Sequence, residues 1–142
     1  KNVKNARIVA MVSVSSNTQS ATAGARKLLE ENPQINLLVG FNEWSTLGVG
    51  MAIKELGLKD RVCAIGFDNN TECVGMLETG ELDTLIVQNP FSMGYLAVMN
   101  AANILSGKKT ESVIKTDVYV VDRSNMFSAD VQKILFGFDK YD

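Results

Sequence analysis

Residues 62–90 read VCAIGFDNNTECVGMLETGELDTLIVQNP, and this stretch decides the fold. Its first seven-residue apolar run, RVCAIGF with Arg61, has the length and composition of a strand, but it stops on Asp68-Asn69-Asn70. Residues 71–79 then suit a short helix, closed by Gly80. DTLIVQ is a second strand, ending on Gln88-Asn89, and Pro90 opens another helix. Strand, helix, strand with short connections is the repeating unit of a sheet covered by helices. An apolar strand has no packing reason to finish on a carboxylate, so Asp68 asks for a chemical explanation.

The same alternation continues outward. ARIVAMVSV (6–14) reads as a strand. Asn17 or Thr18 can cap a helix to Glu31, with Ala21, Ala25, Leu28 and Leu29 on one face, and Asn32-Pro33 ends it. INLLVGF (35–41) is a continuous apolar strand, as expected where both sheet faces are covered. A helix over 44–56 carries Val49, Ala52, Ile53 and Leu56 as its stripe and stops at Gly57. The helix after Pro90 lines up Phe91, Gly94, Tyr95, Val98, Ala102 and Leu105 and ends at Gly107. A polar loop, a last strand IKTDVYVV and one or two helical turns over 129–135 complete the chain. The expected fold class is α/β: a Rossmann-like parallel sheet flanked by helices, with right-handed crossovers.

Composition removes several function classes. The 142 residues are 46% hydrophobic, enough for one domain core, and the net charge is −2. No basic run marks a nucleic-acid footprint, so no nucleic-acid partner is expected. The apolar runs are far shorter than a membrane span. There is no histidine, which takes away the commonest general base and metal ligand together. Cys63 and Cys73 are too few for a metal site and are expected to be buried free thiols. The chain starts at Lys1 without Met or a signal-like segment, so it is expected to be a processed product, an excised fragment or a cloned domain, and this says nothing of compartment.

In a sheet of this kind ligands lie beyond the carboxyl ends of the strands. Those ends hold Ser15, Ser16 and Asn17; Asn42 and Glu43; Asp68, Asn69 and Asn70; and Gln88 and Asn89. Asn17 and Asn70 suit helix capping, whereas Asn42 and Gln88 are harder to account for that way. A carboxylate only accepts hydrogen bonds, while an amide both donates and accepts. One carboxylate with two amides is a poor catalytic set but matches a polyhydroxylated ligand, whose hydroxyls do both. Trp44, beside Asn42, is either a core side chain or a stacking platform. Other chemistries fit less well. GVGMAI (48–53) lies inside a helix and lacks the third glycine of a dinucleotide fingerprint. No acidic pair accompanies Asp68 as a Mg²⁺ phosphoacceptor would require, and DNNTEC lacks the glycine and length of a calcium loop. No cofactor or metal is implied.

Three motifs in order resemble the C-terminal portion of a type I periplasmic binding protein, the ribose/galactose-binding class of ABC transporter receptors. NEWSTLGVGMAIKELG is similar to the family's Asn-Asp-x-x-Ala-x-Gly segment, AIGFDNN to its Gly-Phe-Asp element, and LETGELDTLIVQNPFSMGYLAV to its Gly-x-Leu…Gln-x-Pro segment. The resemblance implies that residues 1–142 form the C-terminal lobe of a solute receptor. It places Asn42, Asp68 and Gln88 among the ligand-binding residues, and Ser16 and Trp44 are added as candidates. It puts hinge crossings at Gln88-Asn89 and Asp117-Val118, with 89–117 packing on an N-terminal lobe. Here Ser16-Asn17 replace the aromatic-Asp pair that sugar-binding members often carry before the first helix.

The expected function is binding of a small polar solute, a sugar, outside the cytoplasm, periplasmic or lipid-anchored, with a transporter permease as partner and no catalysis. Without its companion lobe the chain is expected to cover the helix after Pro90 by other means, for example a second copy of itself. LacI/GalR repressor cores share the fold, and a receptor feeding a sensor kinase has the same features. TGELDTLIVQNP resembles the transporter form rather than the repressors' P-x-LTT segment.

Overall fold

A computed structural model describes residues 5–136. Five helices and four strands follow in the order α1 (Thr18–Glu31), β1 (Leu37–Val39), α2 (Glu43–Leu56), β2 (Cys63–Phe67), α3 (Thr71–Thr79), β3 (Thr84–Gln88), α4 (Pro90–Leu105), β4 (Val118–Asp122) and α5 (Ala129–Phe136). The strands lie side by side as β1-β2-β3-β4.

One capping device starts the first four helices. Asn17, Asn42, Asn70 and Asn89 each accept, through the side-chain oxygen, from the backbone N–H three residues on, at Ser20, Ser45, Cys73 and Ser92. Each bond satisfies a donor that the first helical turn otherwise leaves unpaired. At the other end, Gly57 and Gly80 take left-handed conformations and close α2 and α3.

The α/β class and the element order agree with the sequence reading; three details differ. First, β1, β2 and β3 are parallel, but β4 pairs antiparallel with β3, with Gln88 opposite Val118. The chain leaves the sheet at Gln88, runs down α4 and returns through 107–117 to the same point. It therefore re-enters from the end that β3 has just left.

Second, residues 6–14 form no strand, and Ile8 and Met11 are 77% and 85% exposed. A strand is defined by its partner's hydrogen bonds, and no neighbour in the described residues supplies them. Val12 and Val14 lie instead against α1, where a Cβ on Gly24 would stand 2.7 Å from Val14 Cγ1.

Third, among the described residues only one sheet face is closed. The buried strand residues Leu38, Ala64, Gly66, Leu85 and Val121 are mutual neighbours in register. They face a helix layer in which α1 packs on α2 and α2 on α3. Gly48 permits the first contact, since a Cβ there would sit 2.4 Å from Ala21 Cβ. On the opposite face Leu37, Cys63, Val118 and Val120 are exposed, so Cys63 is not the buried thiol expected, whereas Cys73 is buried. α4 buries none of its residues.

Candidate functional site

The loops after β1, β2 and β3 bring the candidate residues to one end of the sheet. Register places Val39 beside Ile65 and Phe67 beside Ile86. The segments that follow, at Asn42, Asp68 and Gln88, are therefore neighbours.

Asp68 and Gln88 are in direct contact. Gln88 Nε2 donates to Asp68 Oδ1 at 3.2 Å, and both residues are half-buried. Asp68 has φ +70°, the single positive φ outside glycine among the described residues. A left-handed backbone costs an L-residue about 1–2 kcal/mol, less for Asp and Asn. Two bonds hold the chain on either side of this turn. Asp68 N–H donates to Ile86 O at 3.1 Å. The buried Thr46 hydroxyl accepts from Phe67 N–H at 2.8 Å and donates to Phe67 C=O at 3.1 Å. Gly66 makes room for that clamp, because a Cβ there would meet Thr46 Cγ2 at 2.2 Å.

Asn42 stands at the adjacent strand end, exposed. Its side-chain oxygen is engaged twice, by Ser45 N–H at 2.9 Å and by the Ser45 hydroxyl at 2.8 Å. The reading that separated Asn42 from the capping asparagines is thus corrected: it caps α2, and the capping orientation directs its chemistry. With the oxygen committed, the amide NH2 remains, so Asn42 is a donor. Asp68 offers acceptor oxygens, and Gln88, whose NH2 serves Asp68, keeps its own oxygen. Donor and acceptors side by side suit hydroxyl groups.

Asn70 ties the loops together. Its amide donates to Glu43 Oε1 at 2.8 Å while its oxygen caps α3. The Cys73 thiol beneath is pushed up to about 12, first by burial and then by the negative charge of Glu43, Glu72 and Asp68. This end of the molecule is therefore acidic, and among the described residues no carboxylate and thiol group is arranged to hold a metal.

The other candidates are less integrated. Ser16 is exposed just before the α1 cap. Trp44 is 41% exposed on the first turn of α2, so it is not a core side chain. Among the described residues, neither shares with Asp68 or Gln88 a contact like that of Phe41 with Phe67, whose ring centroids lie 6.0 Å apart. In the segments expected as hinge crossings, Gln88 and Val118 are paired in the β3–β4 register. Sequence reasoning missed Thr46, and it did not foresee that Asn69 donates to Leu135 C=O. A threonine inside the apolar face of α2 was the available signal for the first.

Comparison with known proteins gives a consistent result. A family model described as periplasmic binding protein domain matches residues 2–109. The ribose import binding protein RbsB of Haemophilus influenzae is 31% identical over 94 residues, 66% of this chain and 32% of that protein. Among solved structures, an ABC transporter solute binding protein from Agrobacterium vitis with bound D-fucose has a TM-score of 0.79 at 30% identity, covering 92% of this chain and 45% of its own. A carbohydrate transporter solute binding protein from Agrobacterium radiobacter in complex with D-arabinose has a TM-score of 0.76 at 30% identity, covering 86% and 41%. The chain spans about a third of the curated relative it matches and less than half of these solved chains.

Proposed function

The chain belongs to the periplasmic binding protein domain family, and from that premise we propose that it is the C-terminal lobe of a sugar receptor, the substrate-binding component of an ABC transporter. One observation carries the reading. Asp68 and Gln88 are hydrogen-bonded at neighbouring strand ends, beside an Asn42 whose cap leaves it a donor. A monosaccharide hydroxyl donates to Asp68 and accepts from Asn42, and an adjacent hydroxyl donates to the Gln88 oxygen. Ser16 and Trp44 lie at the margin of that set. Relatives described with ribose, D-fucose and D-arabinose support a sugar as the ligand. Binding occurs without turnover, outside the cytoplasm, and a permease is the partner that takes the sugar on.

The lobe is half of a clamp. Residues 89–117 leave and rejoin the sheet at paired positions, and α4 exposes Phe91, Tyr95, Val98 and Leu105. This excursion packs on an N-terminal lobe, with Gln88-Asn89 and Asp117-Val118 as hinge crossings between the two. Where that lobe is absent, a second copy of the chain covers the same face.

The test is thermal unfolding of the intact receptor against a panel of pentoses and hexoses. A ligand present at about a hundred times its Kd stabilises by about 2.7 kcal/mol. At least one sugar is expected to raise Tm in a concentration-dependent way. A panel that leaves Tm unchanged throughout contradicts the reading.

A further inference from the structure

Each residue of the 68–70 loop is held by a different element. Asp68 is held by β3 through Ile86 and Gln88, and Asn70 by the start of α2 through Glu43. Asn69, between them, is held by the far end of the chain. Its amide nitrogen donates to Leu135 C=O at 2.7 Å and to Ile134 C=O at 3.3 Å. These carbonyls belong to α5 (Ala129–Phe136). α5 is itself fixed: Leu135 is buried in the core, Val131 and Ile134 pack on it, and Gln132 Nε2 donates to Met126 C=O at 2.6 Å.

We propose that Asn69 is a positioning residue: by bonding the α5 carbonyls it fixes the left-handed turn at Asp68, so α5 sets the geometry of the acceptor. The energetics favour this arrangement. Asp68 occupies a conformation that a free loop leaves readily. A side chain one residue away, with its nitrogen anchored to two carbonyls, restricts the backbone that joins them. The shape of Asn69 is not sufficient, because the contact needs a donor facing acceptors. Asn69→Asp keeps the shape and turns an oxygen toward the α5 carbonyls, whereas Asn69→Ala removes the contact without repulsion.

The proposal rests on the sugar-receptor reading for its effect on affinity, but its structural part is measurable without ligand. In this chain, NMR reads the strong intraresidue HN–Hα NOE that marks positive φ at Asp68, together with amide exchange over 68–70. Asn69→Ala is expected to weaken that NOE and speed exchange in the loop while leaving the α1–α2 resonances in place. Asn69→Asp is expected to do so more strongly, and to recover partly at acidic pH, where a protonated carboxyl donates again. In the intact receptor Asn69→Ala is expected to weaken sugar binding roughly three- to tenfold. If Asn69→Asp keeps the wild-type NOE and exchange at neutral pH, shape alone sufficed and the proposal is overturned. If the loop responds as expected but no sugar binds the parent receptor, the positioning role stands and the sugar reading is the one that fails. If sugar binds and neither variant changes loop or affinity, the reverse holds.

Discussion

Substitution can separate the capping of α2 by Asn42 from the ligand role proposed for it. Its side-chain oxygen caps α2, and its amide nitrogen is the donor proposed for a ligand. Asn42→Asp keeps an acceptor for Ser45 N–H, at a helix end that favours negative charge, and loses only the donor. Its stability is expected to stay within about 0.5 kcal/mol of the parent while sugar affinity falls. Asn42→Ala is expected to lose the cap as well, about 1 kcal/mol in denaturant unfolding. Equal affinity in parent and Asn42→Asp would exclude a ligand role. That the strand ends gather polar groups which packing does not explain was legible in the sequence. Their hydrogen-bonding direction was not legible, since an amide reads alike as donor or acceptor until its cap partner is known.

At the scale of elements, the turn after β2 depends on the fit between α2 and that strand. Thr46→Val keeps the volume but strips both Phe67 backbone groups of their partner. A loss of about 2–3 kcal/mol is expected, measured by urea unfolding, because buried backbone groups are left unsatisfied. A change below about 0.5 kcal/mol would mean the clamp is dispensable. The docking of α3 has a pH signature through Cys73. Its thiol ordinarily titrates near 9 and is raised to about 12 in the fold. The folded state therefore holds the proton more tightly than the unfolded one. Stability from this group is complete below pH 9 and declines as pH rises from 9 toward 12, by up to about 1.4 kcal/mol per unit. Cys73→Ala is expected to flatten that decline; an unchanged alkaline slope would assign it to other groups. The helices were readable because caps and glycine stops are local signals. Residues 6–14 were misread because alternating apolar residues encode a capacity to pair, and no neighbour among the described residues meets it. The antiparallel β4 was misread for a related reason: strand direction depends on where a long return loop ends, and composition does not record that.

Among the described residues the molecule has one covered side and one open side. The helix layer closes one sheet face, while α4, the outer residues of β4 and residues 6–14 leave apolar surface open. Scattered exposed apolar residues are ordinary, but a helix with none of its sixteen residues buried is not. That asymmetry, the paired crossings at Gln88 and Val118 and the length of the relatives all fit a lobe that works against a second lobe. Affinity in such a clamp depends on closure, so the isolated chain, with half the contacts, is expected to bind weakly. The most direct measurement is therefore calorimetric titration of the intact receptor and its Asp68→Asn variant with the sugar that stabilises the parent. Asn tolerates the left-handed turn, so the substitution removes the charge without disturbing the loop. The account predicts a folded variant that binds roughly ten- to hundredfold more weakly, the loss of a charged acceptor. Equal affinity for parent and variant would contradict it.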